Sequence, residues 1–149
     1  MFREEAKAIT LSSKKIWQSS EYFTFVQLSN RQEFLNSQVP FYYAVEAFPL
    51  LLLKLASQIV DQEARYLVVE NIWQEHGQGD PTKYHTSTFK QHLKALGHEG
   101  KMFKNPFITS WLERLFELNS LEEQFHHLAA IEYMYAVISE TIAEKLQAS

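Results

Sequence analysis

The chain has 149 residues, of which 46% are hydrophobic and 21% are charged, as is ordinary for one soluble globular domain. Its formal charge of −4 and its scattered lysine and arginine residues give no reason to expect nucleic-acid binding. The absence of cysteine excludes disulfides, thiolate nucleophiles and thiolate metal sites, and it fits the reducing cytoplasm, where we expect this protein to be located.

The hydrophobic pattern predicts neither a membrane span nor a signal peptide. The longest apolar stretch, residues 47–53, is too short to cross a bilayer and contains Pro49. The first ten residues, MFREEAKAIT, include acids and lack a hydrophobic run. The partners that remain are a small-molecule substrate and, for a homodimer, a second copy of the chain.

Helical patterns fill the first half of the chain. We predict a first helix over residues 2–18 and a second from the cap at Ser20 to about Asn36. Pro40 opens a third helix over 41–59, which Pro49 should kink or interrupt. A fourth runs from about Val60 to His76.

Turn residues separate the remaining helices. The loop Gly77-Gln78-Gly79-Asp80-Pro81 leads to a fifth helix, from about Thr82 to Leu96, which ends at Gly97. After a loop over 97–105, Pro106 starts a sixth helix that runs to about Leu118. Ser120 and Glu123 form a capping box for a last helix over 121–148. Since no segment alternates with period two, the fold class is all-α, with six or seven helices in a single domain.

A glutamate interrupts the apolar stripe of the last predicted helix. At about 100° per residue, Glu132 falls in the middle of the stripe, where burying an unpaired charge is costly. A salt bridge to arginine or lysine would explain a buried glutamate, but the candidate cations fall on other faces. Glu132 is therefore a candidate metal ligand. The stripe consists of Leu121, Phe125, Leu128, Tyr135 and Leu146.

Two other predicted helices carry polar residues on their apolar sides. Asn71 and Glu75 share the apolar side of the fourth helix, although Glu75, in the last turn, could instead turn to solvent. The residues that mark this side are Val60, Ala64, Leu67 and Val68. His85 and His92 share the apolar side of the fifth helix, where a lone histidine is more often a core residue. His85 is nearer Glu75 and is the preferred ligand. His92 and Asn71 are assigned to the surroundings of the metal.

Other chemistries find little support. The glycines at 77 and 79 lack the spacing and the preceding strand of a phosphate-binding loop, and no nucleophile elbow or zinc-protease helix is present. His76 and His98 are expected to be exposed loop residues. Carboxylate and imidazole groups converging from separate helices instead indicate a metal site within a bundle.

Residues 61–97 resemble the haem-oxygenase-like di-iron oxidases and oxygenases, a group that includes CADD and shares its fold with the TenA and PqqC proteins. Phe41-Tyr42-Tyr43 and Phe48-Pro49 are also similar to the helix before the motif in that group. The motif reads Asp61-x3-Arg65-x-Leu67-x3-Asn71-x3-Glu75-x-Gly77-x-Gly79, followed by His85-x3-Phe89-x6-Leu96-Gly97.

The resemblance implies a bundle of seven helices in which Glu75 and His85 are the first pair of metal ligands. The spacing between them is longer here than in the CADD branch. Glu132 matches the next ligand by its place on the stripe, although an alternative alignment puts Ala136 there. Nothing after Glu132 resembles the family's final His-x3-Asp-x2-His helix. The chain is therefore either shortened at its C-terminus or has lost half of the metal site, and at most one metal is expected.

Three hypotheses follow. The leading one is a non-haem iron oxidoreductase, an oxidase or oxygenase of a small organic substrate, with iron or manganese held by Glu75, His85 and Glu132. The runner-up is a metal-free helical binding or oligomerisation domain of the same fold. A cofactorless enzyme of the TenA or PqqC kind is the third, and no cysteine or basic anion pocket supports it.

Overall fold

A computed structural model describes residues 11, 12 and 14–147, with side chains up to Lys145. Within this part of the chain there is no β-strand, which confirms the all-α class. Residues 11, 12 and 14–18 are helical; the rest of the first predicted helix lies outside the described residues. The helices that follow are α1 (Glu21–Leu28), α2 (Arg31–Gln38), α3 (Phe41–Gln58), α4 (Gln62–Glu75), α5 (His85–Leu96), α6 (Pro106–Glu117) and α7 (Leu121–Gln147).

The chain divides into two compact units. The terminal unit consists of the described residues up to Asn30 and from His126 onward, and the central unit is Arg31–Phe125. The last helix, α7, begins in the central unit and continues in the terminal unit. Each unit has its own hydrogen bonds.

Local side-chain caps place the helix starts close to where the sequence predicts them. Ser20, Asp61, Asn105 and Ser120 each accept a hydrogen bond from a backbone N–H in the first turn of α1, α4, α6 and α7. These caps satisfy donors that have no partner inside a helix. The bounds of α4, α6 and α7 therefore agree with the predicted ones to within about two residues, and so do those of α3, which has no side-chain cap.

The second predicted helix is wrong, because two helices stand in its place. The chain leaves α1 at Ser29, which adopts an extended conformation, and α2 starts at Arg31. The Ser29 hydroxyl donates to the carbonyl of Val26, and the Ser29 carbonyl accepts a hydrogen bond from Lys145 at 2.9 Å. Serine competes with helix hydrogen bonds in this way. The break also coincides with the boundary between the two units.

Helix α3 forms the middle of the central unit, packing against α4, α5 and α6. It continues through Pro49 without interruption, and Leu51, Leu52 and Leu55 are buried along it. Lys54 donates to the carbonyls of Phe116 and Leu118 at the end of α6. A cation there is favourable because it satisfies carbonyls without helix partners and opposes the helix dipole.

One stretch, Arg31–Gln58, is long and apolar enough to cross a membrane by length and composition alone. Part of it is buried within the protein, and the core helix of a globular protein passes the same test. The stretch includes the break between α2 and α3 as well as Pro49. It is thus weak support for a membrane span.

Candidate metal centre

Glu75 is the only buried residue of α4, with 7% of its surface exposed. Of the apolar residues expected beside it, Leu67 is 65% exposed, Val60, just before the helix, is 91% exposed, and Ala64 is exposed too, whereas Val68 is half-buried. The predicted burial is therefore wrong for three of these four residues, although that of Glu75 is confirmed. Periodicity placed Leu67 on the core side, but α4 packs mainly on α3 and turns Leu67 to solvent.

The Glu75 carboxylate pairs with the imidazole of His85. Glu75 Oε2 lies 2.8 Å from His85 Nδ1, and half of the His85 side chain is exposed. Glu75 ends α4 and His85 begins α5, whereas helix dipoles favour an anion at the start of a helix and a cation at its end. Because Glu75 is not at the helix end that favours an anion, the pair is a candidate for a functional site.

A tight reversal between α4 and α5 brings the two residues together. Gly77, Gln78 and Gly79 all have positive φ angles, of 57°, 56° and 88°. A Cβ atom on Gly77 would lie 2.6 Å from the carbonyl carbon of Lys83, and one on Gly79 would lie 2.8 Å from the Trp73 ring. Both glycines are therefore needed for the backbone conformation and the close packing of this loop. Their role is structural and does not involve phosphate binding.

Side-chain hydrogen bonds fix the second half of this reversal. Asp80 accepts from the backbone N–H and the hydroxyl of Thr82, and hydrogen bonds from Thr82 and Lys83 hold the pKa of Asp80 below its usual value. The Ser87 hydroxyl donates to the carbonyl of Pro81 at 2.8 Å, tying the first turn of α5 to the loop. Helix α5 starts at His85 rather than near Thr82 because Pro81–Lys83 forms a separate 3-10 turn.

The side chain of Glu132 is exposed, so its predicted place on a buried stripe is wrong. The stripe residues Leu121, Phe125 and Tyr135 are also largely exposed, and among the described stripe side chains only Leu128 is buried. Helix α7 contributes to two units, and its buried side changes along its length: Gln124 and Leu128 share one side, whereas Val137 and Thr141 share another. Glu132 belongs to the terminal unit, whereas Glu75 and His85 belong to the central unit. Its ligand role remains a prediction. The buried residues of α7 are Gln124, Leu128, Val137 and Thr141.

Asn71 and His92 are both half-buried. Asn71 lies one turn before Glu75 on the same side of α4. The ring of His92 packs against Phe89, with centroids 5.8 Å apart. His92 is seven residues beyond His85, about 10 Å along the helix, so it could act on a metal at His85 only through an intervening group. Both assignments to the metal's surroundings remain predictions.

The stability of the protein should depend on pH through His92. Burial lowers the pKa of His92 below its ordinary value of 6.5. The unfolded chain therefore binds a proton at His92 more readily than the folded chain does. The contribution of neutral His92 to the free energy of unfolding is complete above about pH 6.5, and it is lost as the pH falls from 6.5 toward the folded-state pKa. Urea unfolding at about pH 7 and pH 5 should show a smaller loss of stability in His92→Gln than in the parent. Equal losses would contradict this assignment.

The pair has neighbours that the sequence did not predict. His76 is half-buried rather than exposed, its Nδ1–H donates to the carbonyl of Ile72 at 2.8 Å, and its ring meets the edge of Tyr84. His98 is likewise half-buried. One feature of the sequence could have indicated these contacts. When a tight reversal joins two helices, residue 75 is expected to lie next to residue 85, and residue 76 next to residue 84. Trp73, which covers Gly79, completes this set.

The Glu75–His85 pair fits part of an iron site. Ligand atoms about 2.1 Å from an ion and at a right angle are about 3 Å apart, close to the 2.8 Å that separates Oε2 from Nδ1. Carboxylate and imidazole donors suit iron and manganese. Among the described residues of the central unit, no third histidine or acid joins the pair to form a metal-binding group. The pair thus accounts for two ligands.

Comparison with known proteins identifies the family of the chain. Residues 35–147 match the model of a family described as iron-containing redox enzymes, with a haem-oxygenase-like fold. Searches of the curated proteins and of the solved structures find no match. The family match covers most of the chain, including Glu75, His85 and Glu132. The chain therefore belongs to the haem-oxygenase-like family of iron-containing redox enzymes.

Proposed function

We propose that this chain is an iron-dependent oxidase or oxygenase of a small organic substrate, with iron bound by Glu75 and His85. The observation that carries the proposal is the burial of Glu75 on a helix whose other residues are exposed or half-buried, and its 2.8 Å contact with His85. A carboxylate is rarely buried unless a partner stabilises it, and a partly open imidazole beside it leaves room for an ion.

In this proposal each residue has a distinct task. Buried Glu75 supplies negative charge in a site of low polarity, which strengthens its attraction for a cation. His85, half-exposed at the start of α5, supplies a nitrogen ligand whose position the Gly77–Lys83 contact and the Ser87 hydrogen bond fix. Bound iron would supply one-electron redox chemistry that the side chains of this chain lack. The exposed side of His85 is where a small substrate would approach.

Iron stoichiometry tests the proposal directly. After anaerobic addition of ferrous iron and removal of the excess, elemental analysis should find about one iron per chain, because Glu75 and His85 make one site. Glu75→Gln and His85→Ala should each retain much less. Glu113→Ala and His127→Ala, which replace an exposed acid and an exposed histidine, should bind iron like the parent. Normal iron content in both Glu75→Gln and His85→Ala would exclude the proposed ligand pair.

A metal-free binding or oligomerisation domain is the second candidate. Several large apolar residues of α4 are exposed, which is typical of surfaces that contact another molecule. No iron in the parent protein, under conditions in which it is folded, would favour this function over the oxidoreductase. About two irons per chain would contradict both, since a second metal site beyond Glu75 and His85 would then exist.

A further inference from the structure

The segment from Lys101 to Phe107 presents aromatic and basic side chains to solvent. All of its residues except Met102 are exposed, with Phe103 at 47% and Phe107 at 75%. Neither phenylalanine ring lies against another aromatic ring in the part of the chain that the structure describes. A single exposed phenylalanine is ordinary, but two of them beside two lysines have the composition of a surface that enters a boundary between water and an apolar phase.

The backbone of this segment is fixed at two points. The Tyr43 hydroxyl donates to the carbonyl of Met102 at 3.4 Å, and the Asn105 side chain accepts from the backbone N–H of Phe107 at 2.8 Å. Pro106, the first residue of α6, further restricts the chain between them. Because these constraints act on the backbone, the exposed rings project from a fixed segment, which lowers the entropic cost of binding through them.

Lysines from two parts of the chain lie around one pair of tyrosines. The rings of Tyr42 and Tyr43 meet edge-on, with centroids 5.6 Å apart. Lys90 Nζ lies 4.9 Å from the centroid of Tyr42. Lys104 Nζ lies 5.3 Å from that of Tyr43. These linked contacts place a lysine of α5 close to the segment that carries the exposed phenylalanines. Lys94, one turn after Lys90, projects from the same side of α5.

The resulting surface is basic, although the chain as a whole is acidic. Residues 84–107 contain four lysines and one acid, Glu99, whereas the formal charge of the chain is −4. All four lysines are exposed, and none forms an ion pair with a described residue. We call this surface the loop face. It consists of Lys90, Lys94, Lys101, Phe103, Lys104 and Phe107.

We propose that the loop face binds the surface of a membrane that contains anionic phospholipids, in the manner of a peripheral protein. The four ammonium groups would lie among the phosphate and carboxylate groups of the lipids, and Phe103 and Phe107 would enter the boundary between head groups and acyl chains. The apolar stems of the lysines can lie along the same boundary. An acidic peptide would pair with the lysines but would give the two phenylalanines no apolar surroundings. The inference does not depend on iron, since no residue of the loop face is a proposed ligand.

Sedimentation with lipid vesicles tests this inference. The parent protein should bind vesicles of phosphatidylcholine and phosphatidylserine at least about tenfold more tightly than vesicles of phosphatidylcholine alone, and high salt should weaken the binding. Lys101→Gln with Lys104→Gln should raise the lipid concentration for half-maximal binding at least about tenfold, because two attractions to the anionic surface are lost. Phe103→Ser with Phe107→Ser should raise it by a similar factor. Phe103→Leu with Phe107→Leu, which keeps the apolar character, should retain most of the binding.

Two control pairs match these substitutions in number and chemistry. Lys14→Gln with Lys15→Gln removes two exposed lysines of the terminal unit. Tyr66→Ser with Leu67→Ser removes two apolar side chains of α4 that are 63% and 65% exposed. Both control proteins should bind vesicles like the parent. All variants should keep the parent's helical circular dichroism, and ferrous iron should not change the binding of any of them to vesicles.

Three results would overturn the proposal. The first is a parent protein that does not bind vesicles containing phosphatidylserine. The second is vesicle binding that neither the lysine pair nor the phenylalanine pair of substitutions weakens. The third is equally tight binding to soluble polyglutamate, because the loop face would then recognise acidic polypeptides rather than a lipid surface.

Discussion

Gly77→Ala is expected to lower the free energy of unfolding by about 3 kcal/mol and to abolish iron binding. The new Cβ atom would meet the Lys83 backbone at 2.6 Å, and the φ angle of 57° is unfavourable for a residue with a side chain. The loop must open to relieve the contact. Opening moves His85 away from Glu75, since Lys83 is only two residues before His85. Denaturant unfolding and elemental analysis measure the two effects.

Gly97→Ala is the matched control for this substitution. Gly97 also has a positive φ angle, of 105°, but a Cβ atom there would meet nothing within 4 Å. Its replacement should cost only the backbone penalty of about 1 kcal/mol and should leave iron binding unchanged. If the two variants lost equal stability, the close approach of Gly77 to Lys83 would have no energetic importance.

Trp17→Ala should destabilise the terminal unit by about 3–5 kcal/mol. Trp17 is 4% exposed, its ring meets Tyr22 and Phe23 edge-on, and its Nε1–H donates to the Thr141 hydroxyl at 2.9 Å. The substitution removes both the packing and the hydrogen bond. Thermal or denaturant unfolding followed by circular dichroism gives the loss of stability.

Trp17→Phe separates the two contributions. Phenylalanine keeps most of the ring contact but cannot donate to Thr141, so we expect a loss of about 1 kcal/mol from the hydrogen bond, together with a smaller loss from the missing ring atoms. A loss as large as that of Trp17→Ala would mean that the hydrogen bond, rather than burial of the indole, dominates.

The helix ends could be predicted because they depend on nearby residues. Ser20, Asp61 and Asn105 each cap a helix through a side chain within three positions of the N–H that it accepts from. The break at Ser29 was missed because the contact that stabilises it comes from Lys145, which is 116 positions away. Long-range contacts of this kind leave no trace in a local pattern.

The candidate site was predictable only in part for the same reason. Glu75 and His85 flank one short loop, so their positions at facing helix ends imply the observed contact. Glu132 lies 47 positions beyond His85, and its expected burial rested on a single stripe along α7. That stripe assumes one packing surface for the whole helix. Gln124 pairs with Gln58 in the central unit, whereas Thr141 pairs with Trp17 in the terminal unit, and the two buried sides differ.

The division of the chain has a consequence for the order in which its parts fold during synthesis. The central unit is one continuous segment, so it can fold once Phe125 has left the ribosome. The terminal unit joins residues 124 and 126 positions apart, through the contacts of Trp17 with Thr141 and of Lys14 with Glu140. Such contacts close a long loop at an entropic cost. A folded central unit would lower this cost, because it keeps the chain between the two ends of the loop compact. The apolar residues near Trp17 therefore cannot complete the terminal unit until the second half of α7 has been synthesised.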